Sequence, residues 1–156
     1  MDEYIFVRSF DREYINEIYK ILFHCGIHML KQGLFHWLKP YSKNAIKHDC
    51  ETKQVVLVKD KNTGMYTSTF QMYVNEANHL YVRKIATCPK MEGRGIGKKN
   101  MLYMEAYAKM KCCPKLCLSV YKKSSRAISF YEKNGFKIIG ERKARLFCEL
   151  LMEKNV

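Results

Sequence analysis

The spacing of apolar and polar residues predicts four helices and seven strands. Between residues 12 and 32, apolar side chains recur every three or four residues and form a stripe on one helix face, which ends near Gly33. The residues of this stripe are Ile15, Ile18, Tyr19, Leu22 and Phe23. The apolar run at residues 55–58 is typical of a buried strand, and the turn residues 61–64 lead from it into a second strand. The predicted helices are residues 12–32, residues 42–50 with Ser42 as a candidate N-cap, a helix that runs through the helix formers at residues 100–111, and residues 124–134. The predicted strands cover residues 4–9, 55–58, 65–74, 79–87, 115–121, 136–143 and 147–152.

The order of these elements is β-α-α-β-β-β-α-β-α-β-β, which combines hairpins with crossovers. Such an order indicates an α/β fold with a sheet of mixed strand direction, because hairpins join antiparallel strands and crossovers join parallel ones. The 156 residues contain no repeat and no evident linker, and they are enough to build a hydrophobic core. A single domain over residues 1–156 is therefore expected.

A glycine-rich segment separates the strand at residues 79–87 from the helix that follows it. Its glycines let backbone N–H groups approach a ligand, because no side chain stands in the way. A helix that begins within the segment adds unpaired N–H groups and the positive end of its dipole, so the segment is predicted to bind phosphate groups. An ordinary glycine turn is the alternative. The segment reads Glu92, Gly93, Arg94, Gly95, Ile96, Gly97, Lys98 and Lys99.

The spacing of the glycines argues against two common phosphate-binding motifs. A dinucleotide-binding loop reads G-x-G-x-x-G, whereas here the third glycine comes one residue early. A P-loop needs G-x-x-x-x-G-K-[ST], but Glu92 stands at its first glycine and Lys98 is followed by another lysine. The segment instead resembles the x-x-G-x-G pyrophosphate loop of the GCN5-related N-acetyltransferases (GNAT), which bind acetyl-coenzyme A (acetyl-CoA).

A second segment, residues 124–136, strengthens this resemblance. It reads S-S-R-A-I-S-F-Y-E-K-N-G-F and is similar to the family motif N-x-x-A-x-x-F-Y-E-K-x-G-F. Ser124 is a candidate N-cap of the predicted helix, and Gly135 is a candidate left-handed residue just after it. Because the two motifs occur in the right order with a strand between them, the chain is identified as a member of the GNAT family. The residues predicted to share one face of this helix are Ser124, Ala127, Ile128 and Tyr131.

Family membership implies a strongly twisted mixed sheet that is open between its fourth and fifth strands, where acetyl-CoA enters. Backbone N–H groups of the glycine segment would face the pyrophosphate, and the pantetheine arm would pair with the fourth strand. The N–H of Ile85 would donate to the thioester oxygen, a type of contact worth ~3 kcal/mol in other enzymes. The resemblance assigns acetyl-CoA binding to Ile85, Ala86, Thr87, Glu92, Gly93, Arg94, Gly95, Ile96, Gly97, Lys98, Ser124, Ala127 and Tyr131, with no metal.

The resemblance also assigns a catalytic role to Tyr131, which matches the family's general acid. A phenol of pKa ~10 can donate to a thiolate whose thiol has a pKa of ~8.5, although packing is the alternative role for an aromatic residue on a helix face. The acceptor amine must also lose a proton, but Tyr81 stands where some family members carry a catalytic glutamate. Glu76 and His79 are the candidates for the base, directly or through water.

The first two helices and the loop between them are implied to wall the amine pocket. Aromatic residues there would receive an amine by cation–π contact, or would pack in the core. Glu92 departs from the family, which has Arg or Gln at that position, and its carboxylate is unfavourable near a pyrophosphate unless it points away. Arg94, two residues further on, would compensate for the negative charge of Glu92. The aromatic candidates are Phe35, His36, Trp37 and Tyr41.

Composition adds charge and thiols to this picture. The formal charge is +13, but the lysines are spread along the chain, so we attribute the excess to the anionic coenzyme and to solvated lysines rather than to specific nucleic-acid binding. The seven cysteines form no C-x-x-C pair and have no zinc spacing, so buried reduced thiols are expected. His24 and His28 lack a third ligand at a recognisable spacing, so packing or surface roles are expected for them.

The chain is therefore predicted to be an acetyl-CoA-dependent N-acetyltransferase that acts on a primary amine of a small molecule or peptide. A GNAT-fold protein that binds acetyl-CoA without catalysis and a basic nucleic-acid-binding module are the alternatives. No apolar run approaches the ~20 residues of a membrane span and no signal peptide follows the acidic N-terminus, so a cytoplasmic protein without membrane contact is expected. Monomer and homodimer both remain open.

Overall fold

The computed structural model describes residues 1–35, 37 and 41–156. Over these residues the predicted α/β class and the predicted order of strands and helices are confirmed. A 3₁₀ turn, Pro89–Met91, precedes the third helix. The strands are β1 (Asp2–Val7), β2 (Gln54–Asp60), β3 (Tyr66–Val74), β4 (Leu80–Thr87), β5 (Lys115–Tyr121), β6 (Lys137–Lys143) and β7 (Cys148–Asn155). The helices are α1 (Arg12–Lys31), α2 (Lys43–Thr52), α3 (Ile96–Met110) and α4 (Ser125–Lys133).

The strands form one seven-stranded sheet in the order β1-β2-β3-β4-β5-β7-β6. The pairs β1–β2, β2–β3, β5–β7 and β6–β7 are antiparallel. β4 and β5 are parallel, and their pairing joins Leu80 with Leu116 and Tyr81 with Cys117 at the beginning of both strands. The sheet is therefore of mixed direction, as predicted.

The chain divides into two compact units. The first contains Met1–Met72 and Lys84–Ile96, and the second contains Tyr73–Arg83 and Gly97–Val156. The core of the first unit is formed by Val7, Ile15, Ile18, Ile21, Leu22, Cys25, Ile46, Val55, Leu57 and Ala86. The fully buried side chains of the second unit include Leu80, Met101, Met104, Leu116, Leu118 and Met152.

α1 buries a stripe that differs slightly from the predicted one. Its buried residues are spaced by three or four positions, whereas Phe23, predicted to lie on the stripe, is 38% exposed and stacks on Tyr19. Cys25 takes its place in the core. α1 is 20 residues long, yet no helix in the described part of the chain combines the length and apolar character needed to cross a membrane.

α2 begins where the sequence predicts it. The side-chain oxygen of Ser42 accepts a hydrogen bond from the N–H of Ala45 at 3.0 Å, which satisfies one of the unpaired donors of the first turn. The buried residues of this helix are Ile46 and Asp49, one turn apart, so its inner face carries a carboxylate.

Candidate active site

Two left-handed glycines shape the loop before α3. Gly93 has φ of 77° and Gly95 has φ of 76°, a conformation that side chains other than glycine rarely adopt. Apart from the glycine and its two chain neighbours, no heavy atom of the described residues lies within 4 Å of the position that a Cβ would take at either residue. Residues 92–95 are exposed, and Arg94 is not left-handed. Such an alternation of left-handed glycine with an ordinary residue is typical of backbone nests that bind anions.

α3 begins immediately after this loop, at Ile96, so the predicted helix start within the glycine segment is confirmed. The first-turn N–H groups have no partner within the helix, and the helix dipole adds positive potential at the same end. The side chain of Ile96 is only 6% exposed, so this residue offers a ligand only its backbone. Lys98, in the same first turn, is exposed.

The side chain of Glu92 is directed toward α1. Its Oε2 lies 3.7 Å from Nε2 of His28, and both side chains are partly exposed. His28 also approaches Gln32, with Nε2 atoms 3.1 Å apart. The carboxylate of Glu92, which would be unfavourable near a pyrophosphate, thus lies beside His28 within the first unit.

Position 97 requires a glycine for a different reason from positions 93 and 95. A Cβ at this helical position would lie 3.1 Å from Cζ of Phe130. The sequence predicts that all three glycines clear space for a ligand, and for Gly97 this interpretation is incomplete. Its missing side chain allows α3 to pack closely on the Phe130 ring within the second unit.

Tyr131 lies in the last turn of α4 and is partly buried. Its ring centroid lies 5.5 Å from that of Phe130 and 5.7 Å from that of Phe136, with near-perpendicular planes in both pairs. Burial raises the pKa of Tyr131 to about 12. Among the described residues none forms a hydrogen bond with the Tyr131 hydroxyl group.

The predicted face of α4 is observed. Ser124, Ala127, Ile128 and Tyr131 are buried or partly buried, whereas Ser125, Arg126, Ser129 and Glu132 are exposed. Ser124 occupies the predicted N-cap position, but its side chain makes no capping hydrogen bond, so the prediction is confirmed for the position alone. The φ of −82° and ψ of 70° at Ser124 differ from the extended conformation that a capping serine adopts, as at Ser42.

α4 ends in a Schellman motif. The N–H of Gly135 donates to the carbonyl of Glu132 and the N–H of Phe136 donates to that of Tyr131, both at 3.0 Å. Gly135 has φ of 92°, so the predicted left-handed residue after the helix is confirmed. These bonds hold the backbone of the turn that carries Tyr131.

The end of β4 carries the residues predicted to accompany the pantetheine arm. Ala86 is buried, while Ile85 and Thr87 are partly buried. The carbonyl of Thr87 accepts a hydrogen bond from Sγ of Cys25 at 3.0 Å, which joins this strand to α1. Burial raises the pKa of the Cys25 thiol to about 12, so it remains protonated and able to donate.

The sequence profile of the acetyltransferase (GNAT) family matches residues 14–136, well over half of the chain. The chain belongs to this family. No curated protein sequence matches it.

Several solved structures share the GNAT fold of this chain. The PaiA N-acetyltransferase of Thermoplasma acidophilum, solved with coenzyme A, is 17% identical with a TM-score of 0.80, and the match covers 100% of this chain and 99% of that one. The ribosomal-protein-S18-alanine N-acetyltransferase of Escherichia coli is 16% identical with a TM-score of 0.78, over 99% and 94% of the two chains. A GNAT acetyltransferase of Elizabethkingia anophelis, with acetyl-CoA bound, is 20% identical with a TM-score of 0.67, over 77% and 87%.

Tyr81 is the residue predicted to stand where some GNAT enzymes carry a catalytic glutamate. Its hydroxyl group forms a hydrogen bond with Ser119 of β5, which also accepts one from Nη2 of Arg142 at 3.2 Å. Of the two candidate bases, Glu76 is exposed in the turn before β4, and Nδ1 of His79 lies 3.8 Å from Sγ of Cys117. Neither is joined to the Tyr81 network by a hydrogen bond among the described residues.

The aromatic candidates for the acceptor pocket of this GNAT chain are separated by the structure. Phe35 is 58% exposed, whereas the rings of Trp37 and Tyr41 lie 5.8 Å apart at the edge of the first unit's core. The ammonium group of Lys84 lies 3.9 Å from the centre of the Tyr41 ring, so a cation of the protein itself occupies that face. His36 lies outside the described residues.

Lys84 belongs to a buried polar cluster that the sequence does not predict. Its Nζ lies 2.6 Å from Oδ2 of Asp49, which also accepts a hydrogen bond from Nε2 of Gln71 at 3.0 Å. Oε1 of Gln71 is buried and has no hydrogen-bond partner among the described residues. Lys84 also has φ of 48°, and a non-glycine residue in this region stores ~1–3 kcal/mol of strain.

A signal for this cluster was present in the sequence. Leu80, Val82 and Ala86 alternate along β4 and are all buried, so Lys84 falls on the inward phase of the strand. A lysine at such a position requires a partner, since burying an unpaired ammonium is costly. Asp49 falls in the same way on the inner face of α2, three residues after Ile46.

The histidines and cysteines form no metal site in the described part of the chain. No group of three or more His, Cys, Asp or Glu residues in the described part of the chain could hold a metal ion. All seven cysteines are free. Cys25, Cys113 and Cys117 are buried as expected, Cys50, Cys88 and Cys148 are partly buried, and the expectation is wrong for Cys112, which is exposed. His24 and His28 border a surface groove of about 260 Å³ between α1 and residues 88–90.

Proposed function

We propose that this GNAT chain is an acetyl-CoA-dependent N-acetyltransferase that transfers the acetyl group to a primary amine of a small molecule or peptide. The observation that carries this proposal is the loop before α3. Gly93 and Gly95 are both left-handed and exposed, and the N-terminus of α3 follows at once. A pyrophosphate requires such a set of exposed N–H groups. Family membership and the coenzyme-bound structures of similar fold support the choice of coenzyme.

Residues of β4 are proposed to hold the reacting end. Bound acetyl-CoA supplies an electrophilic thioester carbonyl and a sulfur leaving group. Ile85 is proposed to donate its backbone N–H to the carbonyl oxygen as negative charge develops there, and such preorganised donors contribute ~3 kcal/mol. Ala86 and Thr87 are proposed to align the pantetheine arm through their backbone. Ser124, whose side chain caps nothing, is proposed to contact the coenzyme together with Ala127.

Tyr131 is proposed to protonate or hydrogen-bond the departing sulfur. With a pKa raised to about 12, its phenol is fully protonated at neutral pH, which an acid requires. Complete transfer to a thiolate whose thiol has a pKa of ~8.5 is nevertheless uphill by roughly 5 kcal/mol. We therefore propose that Tyr131 stabilises the sulfur through a hydrogen bond while the C–S bond breaks, and that transfer is completed as solvent re-protonates the phenol.

The protons balance with solvent as the base. The acceptor ammonium loses one proton before its nitrogen attacks and a second as the amide forms. Glu76 and His79 have no shared network with Tyr81, so we propose that water takes the first proton. The second proton of the amine also passes to water, and water returns one proton to Tyr131 in place of the proton that this residue provides to sulfur. One N–C bond forms, one C–S bond breaks, and one net proton is released.

A panel of amines tests the activity. Thiol release from acetyl-CoA would be measured with polyamines, aminoglycosides and peptide amines, the last because the Escherichia coli protein of similar fold is a ribosomal-protein-S18-alanine N-acetyltransferase. At least one class should accelerate thiol release over the background without amine, and mass spectrometry should find one acetyl group on that amine. The exposed Cys112 requires a control with protein alone, because it reacts with thiol reagents. Tight acetyl-CoA binding with no acceleration by any amine would favour a non-catalytic coenzyme-binding protein.

A further inference from the structure

We propose that Asp49 and Lys84 form a positioning pair that holds the left-handed residue of β4 and so sets the direction of the Ile85 N–H. This inference rests on the proposed function of Ile85. Neither residue is proposed to touch the substrate. They are proposed to act through the backbone of β4, to which Lys84 belongs and Asp49 does not.

The backbone conformation is the first argument. Among the described residues, three other than glycine have positive φ, namely Asn78, Lys84 and Cys112. Asn78 lies in the turn before β4 and Cys112 just after α3, where such conformations are common. Lys84 lies inside a strand, where φ of 48° turns the following peptide, whose N–H belongs to Ile85, away from the regular ladder direction.

The anchoring of the Lys84 side chain is the second argument. Its side chain is 7% exposed and that of Asp49 is 8% exposed, with 2.6 Å between Nζ and Oδ2. Nε2 of Gln71, on β3, donates a hydrogen bond to the same carboxylate oxygen, and the ammonium group of Lys84 lies over the Tyr41 ring. A side chain held at several points fixes the backbone from which it grows. Lys84 is therefore held in a conformation that its own preferences oppose.

The energetics of buried ion pairs give the third argument. A buried pair is seldom more stabilising than apolar residues of the same volume, because both charges lose their hydration. The Asp49–Lys84 pair is attached to a strained backbone beside the proposed oxyanion donor. Control of the β4 backbone conformation therefore explains this pair better than stability does. Lys53 also approaches Asp49, at 3.9 Å, but it stands at the C-terminal end of α2 and is not part of β4.

The substitution Lys84→Gly separates anchoring from backbone conformation. Glycine adopts positive φ without strain, so the variant can retain the turn but loses the anchor. Asp49→Asn/Lys84→Gly removes both charges and guards against instability from an unpaired carboxylate. Lys53→Met is the matched control, because it removes a cation from the same carboxylate without changing β4. Circular dichroism would first establish that all three variants are folded.

With the best amine of the panel, both glycine variants should lose ~10-fold or more in kcat, while the dissociation constant for acetyl-CoA changes by less than ~3-fold. Lys53→Met should retain the wild-type kcat. A kcat within ~2-fold of wild type in the folded glycine variants would overturn the proposal. So would an equal loss in Lys53→Met, because the effect would then follow the charge of Asp49 and not the anchoring of β4.

A nuclear magnetic resonance measurement keeps this test independent of turnover. The Ile85 amide signal of wild-type protein should differ between the acetyl-CoA and coenzyme A complexes, because only acetyl-CoA offers a thioester carbonyl. In Lys84→Gly this difference should be lost, and in Lys53→Met it should persist. If no amine is acetylated, the proposed function fails but this comparison still decides the role of the pair. An unaltered difference in Lys84→Gly would overturn it.

Discussion

Gly95 and Gly97 lie two positions apart in one motif, yet they are glycines for different physical reasons. At Gly95 the backbone is left-handed and the space above it is open. At Gly97 the backbone is helical and the space is filled by the Phe130 ring. The first position depends on conformation and access, whereas the second depends on packing. A motif read as one functional unit thus contains a ligand-facing part and a structural part, and substitutions should separate them.

The largest effect is expected at the open position. Gly95→Asp should weaken acetyl-CoA binding by ~100-fold or more, because it adds a side chain and a negative charge where the pyrophosphate is proposed to bind. Isothermal titration calorimetry with acetyl-CoA measures this loss. Gly95→Asn is the matched control, since asparagine has the same size and tolerates left-handed φ but carries no charge. It should lose less affinity than Gly95→Asp.

Glu92 provides a second control for the same measurement. Its carboxylate approaches His28 of α1, so Glu92→Gln should change the affinity by less than ~3-fold despite removing a negative charge from the same loop. If Gly95→Asp binds acetyl-CoA as tightly as wild type, the loop is not the pyrophosphate site.

Tyr131→Phe is expected to act on turnover and not on binding. The ring contacts with Phe130 and Phe136 should persist, while the hydroxyl group is lost. The kcat should fall by ~100-fold with little change in acetyl-CoA affinity, if chemistry limits the rate. Steady-state kinetics with the best amine, together with a single-turnover measurement, would determine both.

The pH profile adds a check on the same residue. Because the pKa of Tyr131 is raised to about 12, its proton is retained in the folded protein throughout pH 7–10, and wild-type kcat should not decline there through ionisation of this phenol. A nearly neutral Tyr131→Phe substitution would reduce the residue to a packing role.

The smallest effect is expected at the packed position. Gly97→Ala should gain up to ~1 kcal/mol of helix propensity but lose ~1–3 kcal/mol through crowding of Phe130, for a small net loss of stability. Chemical denaturation measures it. Adding Phe130→Leu shortens the crowding side chain and should make Gly97→Ala neutral or stabilising in that background. A loss that Phe130→Leu leaves unchanged would separate Gly97 from the packing explanation.

Local patterns allowed most of the fold to be predicted. The spacing of apolar residues gave the order of strands and helices, and Ser42, Gly135 and the start of α3 followed from capping and glycine rules. Phe23 and Ser124 were misread, because a helical stripe is wide enough to include flanking aromatics and because capping depends on a backbone conformation that sequence does not specify. These errors concern the fine geometry of single residues.

The candidate site was less accessible to such rules. The glycine loop and Tyr131 were found through motifs, but Lys84 and Asp49 are 35 residues apart and meet only through the packing of α2 on the sheet. The contact of Gly97 with Phe130 is similarly non-local. Periodicity indicates which side of a strand is buried, but it does not indicate which partner waits there. Pairing of inward-facing charges across elements would have been the additional signal.

The Schellman motif after α4 also bears on how this family is recognised. The final G-F of its second motif corresponds to Gly135 and Phe136, which close the helix through their backbone N–H groups and through the Phe136 ring beside Tyr131. Last turns of helices ordinarily fray on fast timescales, because their carbonyls lack partners. Here the helix stop suppresses fraying under the residue proposed to serve the leaving group. Two letters that help a profile to detect the family thus encode local order, and a chain could retain them after losing its chemistry.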